Sequence, residues 1–235
     1  MRNLNAIVWL YRGESEKYQK LLMDYYLQIK NDCNELDAEL EKISTLLNGY
    51  GAPLAALRQQ VAETVLHVEK TNQLLPLNDV LKRYTKELNA ALKNFLEHGD
   101  SLDKAEAKEF AKSIDETATT WERFKRTVSA RVEEVVAQIK DCRAVIKEAK
   151  WLVDKFGEGM YADVPGLCKL ATIAEIEEKN WSLTPGAYVG VAPVKEDDEN
   201  FEERMAEIHQ ELLALQAEAN LLMDTISANF ERLGL

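Results

Sequence analysis

The chain has 235 residues, 46% of them apolar, with a formal net charge of −12, which is enough for one large or two small domains around a real core. No apolar run approaches the ~20 residues that span a bilayer, and Met1-Arg2-Asn3-Leu4-Asn5 has no secretory architecture, so a membrane role is not expected. Cys33, Cys142 and Cys168 are odd in number, far apart in sequence and without a C-x-x-C, which argues against a disulfide framework or a zinc ribbon and for reduced thiols in a cytosol.

Residues 4–11 are short and apolar, and length alone does not separate a buried strand from a helical turn. Arg12-Gly13-Glu14-Ser15 breaks the pattern, with Ser15 expected as a helix N-cap and Glu16 on the positive end of the helix dipole. Tyr18, Leu22, Tyr25, Ile29, Cys33, Leu36, Leu40, Ile43 and Leu47 then recur at steps of four and three, predicting an amphipathic helix of roughly 50 Å that stops at Asn48-Gly49. Pro53 suits the first turn of the next helix, whose stripe is Leu54, Leu57, Val61, Val65 and Val68. Pro76 interrupts it, and helical spacing resumes through Val80, Tyr84, Leu88, Ala91 and Phe95. The spacing reads as one antiparallel return arm over 53–98, with a kink or joint near Pro76. Residues 101–156 read as the longest helical run, through Phe110, Ile114, Ala118, Trp121, Val128, Val132, Val135, Ile139, Cys142, Ile146, Ala149, Val153 and Phe156. The expected fold is therefore all-α: an elongated, coiled-coil-like antiparallel bundle over 1–156, with arms at about 15–48, 53–98 and 101–156.

Residues 157–194 form a turn-rich segment; Gly157 to Pro193 carries five of the ten glycines and three of the five prolines. Val164-Pro165-Gly166 and Thr184-Pro185-Gly186 are turn signals, while 168–171 and 187–191 are short enough for two strands. Thr172 and Glu175 predict a capping box on a small helix. The last unit, 195–235, opens on Glu196-Asp197-Asp198-Glu199 and continues as a helix. Its seam is Phe201, Met205, Ile208, Leu212, Leu215, Ala219, Leu222 and Ile226, a period of about 3.5 residues that holds a narrow stripe against a partner helix. From Lys195 onward there are eleven acidic residues against three Lys/Arg, a local net of −8, so this helix is a poor ligand for phosphates.

Chemistry-bearing motifs are scarce. His67, His98 and His209 sit in different helical stretches with no ligand-spaced partner, as exposed or half-buried helical histidines do. There is no G-x-S-x-G and no P-loop lysine. Phe156-Gly157-Glu158-Gly159 has the composition of a glycine loop but follows a helix instead of a strand. No two prolines are adjacent, so the Asn/Asp-Pro-Pro-aromatic box of amino-methyltransferases is absent. Neither catalytic nor cofactor or metal-binding residues are expected. Lys140, Arg143, Lys147 and Lys150 make a cationic ridge that a phosphate backbone would suit, or that Asp141 and Glu148 balance as a solvated face. Trp121 and Trp151 share the apolar spacing of their helix and read as core.

Trp9-Leu10-Tyr11-Arg12-Gly13-Glu14, Asp163-Val164-Pro165-Gly166-Leu167-Cys168-Lys169, Asn180-Trp181-Ser182-Leu183-Thr184-Pro185-Gly186 and Tyr188-Val189-Gly190-Val191 together resemble, in order, the C-terminal portion of the modification subunit of type I restriction-modification systems. The resemblance is dense over 4–26 and 157–235 and weak over 27–156. It implies a parent N6-adenine DNA methyltransferase using S-adenosylmethionine, with its cofactor loop and Asn-Pro-Pro-Phe box upstream. The chain would then be a fragment that is no enzyme alone. It also implies that the last helices pack against helical regions of the specificity subunit, with DNA contacted indirectly or weakly. The family usually has Arg where Ala187 stands, so any role of that Arg is in doubt here. The reading from the residues alone leaves a second possibility open: a free-standing cytosolic coiled-coil protein, closed on itself or homodimeric.

Overall fold

The computed structural model describes residues 2–51, 53–69 and 73–192, together with Met205, His209, Leu212, Gln216, Ala219, Leu222 and Met223. The described chain is helical almost throughout: α1 (Arg2–Tyr11), α2 (Ser15–Leu46), α3 (Leu54–Val65), α4 (Leu74–Ser101), α5 (Lys104–Ile114), α6 (Trp121–Phe156), α7 (Ile173–Glu178) and α8 (Gly186–Val189). The stretch 4–11, open between strand and helix in the sequence, lies in α1. Among the described residues the only β-type pairing is an isolated antiparallel bridge, Val164 to Cys168.

α2, α3, α4 and α6 form a four-cornered bundle in which α2 and α4 each pack against both α3 and α6. The polar contacts give the directions. Glu39 of α2 pairs with Arg131 of α6 at 2.7 Å, while Tyr18 of α2 reaches Gly157 beyond the far end of α6, so these two helices are antiparallel. Asp37 accepts both arms of the Arg58 guanidinium at 2.7 Å, and Lys30 pairs with Glu69, so α3 runs down α2. Arg83 meets Gln60, and Asn94 donates to the Tyr50 carbonyl, so α4 runs back up α3. Arg143 meets Asn78 and Lys125 meets Asp100, so α6 runs down α4.

Two sequence expectations are corrected here. The stretch 53–98 is a hairpin of two helices, not one kinked arm, and the reversal comes before Pro76. Pro76 lies in the first turn of α4, where its missing N–H would have had no helical partner anyway. The stretch 101–156 is likewise two helices. Asp103 and Glu106 form a capping box that starts α5. Asp115 then turns its carboxylate onto the backbone N–H and hydroxyl of Thr117, and Thr120 caps α6 by accepting from Arg123 N–H. Such short polar side chains offer the backbone a competing partner and end a helix without Gly or Pro. Smaller differences follow the same logic. Glu14 occupies the N-cap of α2 and Ser15 its first turn, and the Ser15 hydroxyl donates to the Gly159 carbonyl at 3.1 Å. Residues 187–189 sit in α8 instead of a strand.

Every α2 seam residue named from the sequence is buried, as is the whole α3 stripe. Burying each Leu or Ile contributes roughly 1.5–3 kcal/mol, which is why a 3.5-residue spacing decides the packing face. The bundle core is mostly apolar, and within it the Ser44 and Tyr84 hydroxyls hydrogen-bond at 2.8 Å across the α2–α4 diagonal. At the α4–α5–α6 end Phe95, Phe110, Trp121 and Phe124 stack with ring centroids 5.5–6.4 Å apart. The Trp121 indole lies directly over Gly99, where an added Cβ would come within 2.1 Å of the ring. Its Nε1–H donates to Asp100 at 2.7 Å, which holds the ring in place. Gly99→Ala is therefore expected to destabilise the protein by about 1–3 kcal/mol through overpacking, read as a lowered thermal midpoint and weaker Trp burial in the fluorescence spectrum.

Candidate functional site: an interaction surface on the closing segments

Residues 4–26 and 157–161, which open the two stretches that carry the family resemblance, are more than 130 residues apart in sequence and meet at one end of the bundle. α1 packs on α2, and Asn3 joins Tyr25 of α2 (2.9 Å) to Glu148 of α6 (2.6 Å). Gly13, in the left-handed region at φ 74°, makes the turn into α2 while Glu14 N–H donates back to the Trp9 carbonyl at 2.8 Å. Trp9 is half-buried against the core, whereas Arg12 points to solvent. Past α6, the Tyr18 hydroxyl donates to the Gly157 carbonyl at 2.9 Å, and burial pushes its pKa up to about 12, so it stays a donor across the working range. Tyr11 meets Tyr161 edge-on at 6.0 Å.

Residues 160–192 are built from turns locked by backbone bonds. Val164 and Cys168 exchange both hydrogen bonds, at 2.8 and 3.0 Å, around Pro165-Gly166. Gly166 N–H donates to Val189 at 2.7 Å, and a Cβ at Gly166 would sit 2.6 Å from the Ala192 nitrogen, so both conformation (φ 76°) and space call for glycine there. Asp163 accepts from Leu170 N–H and from the Tyr161 hydroxyl. The expected Thr172–Glu175 capping box is present on α7, and Lys169 ion-pairs with Glu175 at 2.7 Å. Lys179 donates to the carbonyl of Ala187 at 2.7 Å and lies over the Tyr188 ring, whose hydroxyl donates to Ser182. The Ala187 side chain itself is exposed.

α7 ends in an unusual way. Asn180 and Trp181 both take left-handed backbone, at φ 54° and 58°, and Trp181 N–H donates back to the Ile176 carbonyl. A bulky residue pays about 1–2 kcal/mol for that conformation. Trp181 is left 63% exposed, and Ile173 and Leu183 on the same segment are 73% and 76% exposed. Cys168, Pro185, Leu183 and Tyr188 line a shallow groove of about 260 Å³ on the same segment.

The described members of the last helix's seam are helical and open to solvent: Met205, Leu212 and Leu222 are 50%, 58% and 56% exposed, and Ala219 is exposed as well. Phe201, Ile208, Leu215 and Ile226 lie outside the described residues, as does the acidic run 196–199. The cationic ridge is partly engaged: Arg143 donates to Asn78 at 3.1 Å and Lys150 pairs with Asp154, while Lys140 and Lys147 are exposed and make no ion pair among the described residues. His67, His98 and His209 are all exposed, and His98 rests edge-on against Phe110. The described residues hold no group of three or more His, Cys, Asp or Glu arranged for a metal ion, and no helix among them is long and apolar enough to cross a membrane. Sequence reading did not find the meeting of Cys33 with Cys142 or the Asn3 bridge, because neither spacing nor composition signals a contact between distant helices.

No family model matches the chain, and no solved structure matches it. Among curated proteins it is 39% identical over 69 residues to the type I restriction enzyme MjaIX methylase subunit of Methanocaldococcus jannaschii, a stretch covering 29% of this chain and 12% of that subunit. It is 36% identical over 74 residues to the type I restriction enzyme HindI methylase subunit of Haemophilus influenzae, covering 32% of this chain and 17% of that subunit. The chain thus covers less than a fifth of the length of these two relatives. Distant homology ties about a third of it to type I restriction methylase subunits.

The Lys169 hydrogen bond, followed by that from Thr172 N–H, holds the Glu175 carboxyl at about 2, below its ordinary 4.5. A depressed folded-state pKa means that the α7 cap contributes fully above about pH 4.5 and is lost as pH falls towards 2. Carboxyl chemical shifts should place the Glu175 midpoint near pH 2; a midpoint at the ordinary value would remove this cap from the account.

Proposed function

We propose that the protein is a non-catalytic assembly module of a type I restriction-modification system, belonging with the C-terminal portion of its methylase subunits. The last helix docks through Phe201, Met205, Ile208, Leu212, Leu215, Leu222 and Ile226 on the helices of the specificity subunit, and the bundle braces the assembly along DNA. One observation carries the reading above the rest: Met205, Leu212 and Leu222, members of an apolar seam in the sequence, are each at least half exposed, whereas the seams of α2 and α3 are buried. An amphipathic helix with its apolar face in water gains about 1.5–3 kcal/mol for each such side chain that a partner covers. Homology to two methylase subunits supports the system, and the local charge of −8 argues that the partner of this helix is protein and not phosphate. On this reading the motif residues Trp9, Arg12, Gly13, Pro165, Gly166, Cys168, Asn180, Trp181, Leu183, Pro185, Gly186 and Tyr188 shape the partner-facing end of the module. S-adenosylmethionine belongs, on this reading, to a catalytic domain that the present chain does not supply.

Because Leu212 is exposed, Leu212→Lys should shift the thermal midpoint by no more than about 1–2 °C. The same change, like Leu215→Lys, should weaken capture by the specificity subunit tenfold or more. Unchanged capture by both variants would remove the seam from the interface.

The exposed Lys140 and Lys147 favour an auxiliary contact with the DNA backbone. Flanked by Asp141 and Glu148, that contact is weak. Lys140→Glu with Lys147→Glu should lower DNA affinity of the assembled complex by a few-fold and flatten its salt dependence by about two charges, without altering subunit capture. The alternative of a free-standing coiled-coil protein predicts concentration-dependent self-association in light scattering that Leu212→Lys abolishes, and no gain from added specificity subunit.

A further inference from the structure

We propose that Cys33 and Cys142 form a dormant disulfide site that staples α2 to α6 when the protein meets peroxide. The two thiols are 109 residues apart in sequence and stand at facing core positions of the antiparallel α2–α6 pair, with their sulfurs 3.6 Å apart. A disulfide is about 2.05 Å long, so closure asks each sulfur to move about 0.8 Å, which falls within small side-chain adjustments on two rigid helices. Both residues are buried. Each borders its own surface groove: Cys33 one of about 430 Å³ with Asn34, Val61 and Val65, and Cys142 one of about 320 Å³ with Asp32, Glu35 and Asp141. A small neutral oxidant can therefore approach the pair from either side of α2.

The resting form is the dithiol. The hydrogen bond with Cys142, followed by burial, pushes the Cys33 thiol above its ordinary range, and the nearby Asp32 carboxylate adds to that effect. Such thiols oxidise slowly, which separates this site from a fast peroxide sensor. The reaction balances with hydrogen peroxide as oxidant. One thiol is oxidised to a sulfenic acid and one water leaves; the second thiol attacks that sulfur, the S–S bond forms, and the sulfenic oxygen leaves as water with the second thiol proton. Two sulfurs lose one electron each, and peroxide becomes two waters. Cys168 is only half-buried and has no thiol partner, so it oxidises on its own.

The closed loop contains all of α3, α4 and α5, so the crosslink restrains a long loop, nearly half of the unfolded chain. The test uses the full chain carrying Cys168→Ser, treated with hydrogen peroxide and then alkylated. The expected result is a mass loss of about 2 Da in the unreduced protein, a peptide linking Cys33 to Cys142, and a thermal midpoint raised by about 10 °C that dithiothreitol reverses. Mapping needs no core variant, so it stands even if Cys33→Ala or Cys142→Ala folds poorly. Both cysteines alkylated as free thiols after an exposure that fully oxidises Cys168 in the unaltered chain would overturn the proposal. A mapped crosslink with no rise in the midpoint would overturn it equally.

Discussion

The antiparallel contact between α2 and α6 is the constraint on which the rest of the molecule depends. Among the described residues these are the two longest helices, and each carries buried apolar side chains along most of its length, α2 against α3 and α6, and α6 against α2 and α4. Their register is pinned at both ends and in the middle: Tyr18 to Gly157, Cys33 to Cys142, and Glu39 to Arg131. Once that pair is set, α3 and α4 close the remaining sides as a hairpin, and the Ser44–Tyr84 hydrogen bond fixes the diagonal. A buried polar pair adds little net stability when satisfied, yet a slipped register would strand two hydroxyls in a mostly apolar core, and that penalty keeps the register unique.

The same contact explains why the recognisable residues end up together. Antiparallel packing returns the end of α6 to the start of α2, so Ser15 and Tyr18 lie beside Gly159 and Gly157 despite the helices between them. The bundle over 27–156 is a long excursion whose two ends coincide. The turn-rich segment, closed by Gly166, Asp163 and the α7 cap, is small and holds its shape through backbone hydrogen bonds instead of a core of its own. Its large apolar side chains, Ile173, Trp181 and Leu183, are left outward. Together with the open seam at Met205, Leu212 and Leu222, they put much of the uncovered apolar surface on the chain that follows α6. Surface of that kind has a physical use in association and none in the stability of the isolated chain.

The helical class, the α2 and α3 stripes, the stops at Gly49 and Gly157 and the Thr172–Glu175 cap were legible in the sequence, because each depends on neighbours within about one or two turns; Gly99, by contrast, lies inside α4. The spacing of hydrophobic side chains sets the buried face, and a short polar side chain sets a helix start wherever it occurs. Chain reversal was harder to read. The hairpin between α3 and α4 and the break between α5 and α6 were missed because an apolar stripe keeps its phase through a short polar turn, so 53–98 and 101–156 looked continuous. Asp103 with Glu106, and Asp115 with Thr117, were the available signals. Everything that depends on which helices become neighbours was settled by packing: the meeting of Cys33 with Cys142, Gly99 under Trp121, and the joining of residues 4–26 to 157–161 at one end. Such contacts arise when buried area is shared out among all the helices at once, and no local stretch of residues carries that information.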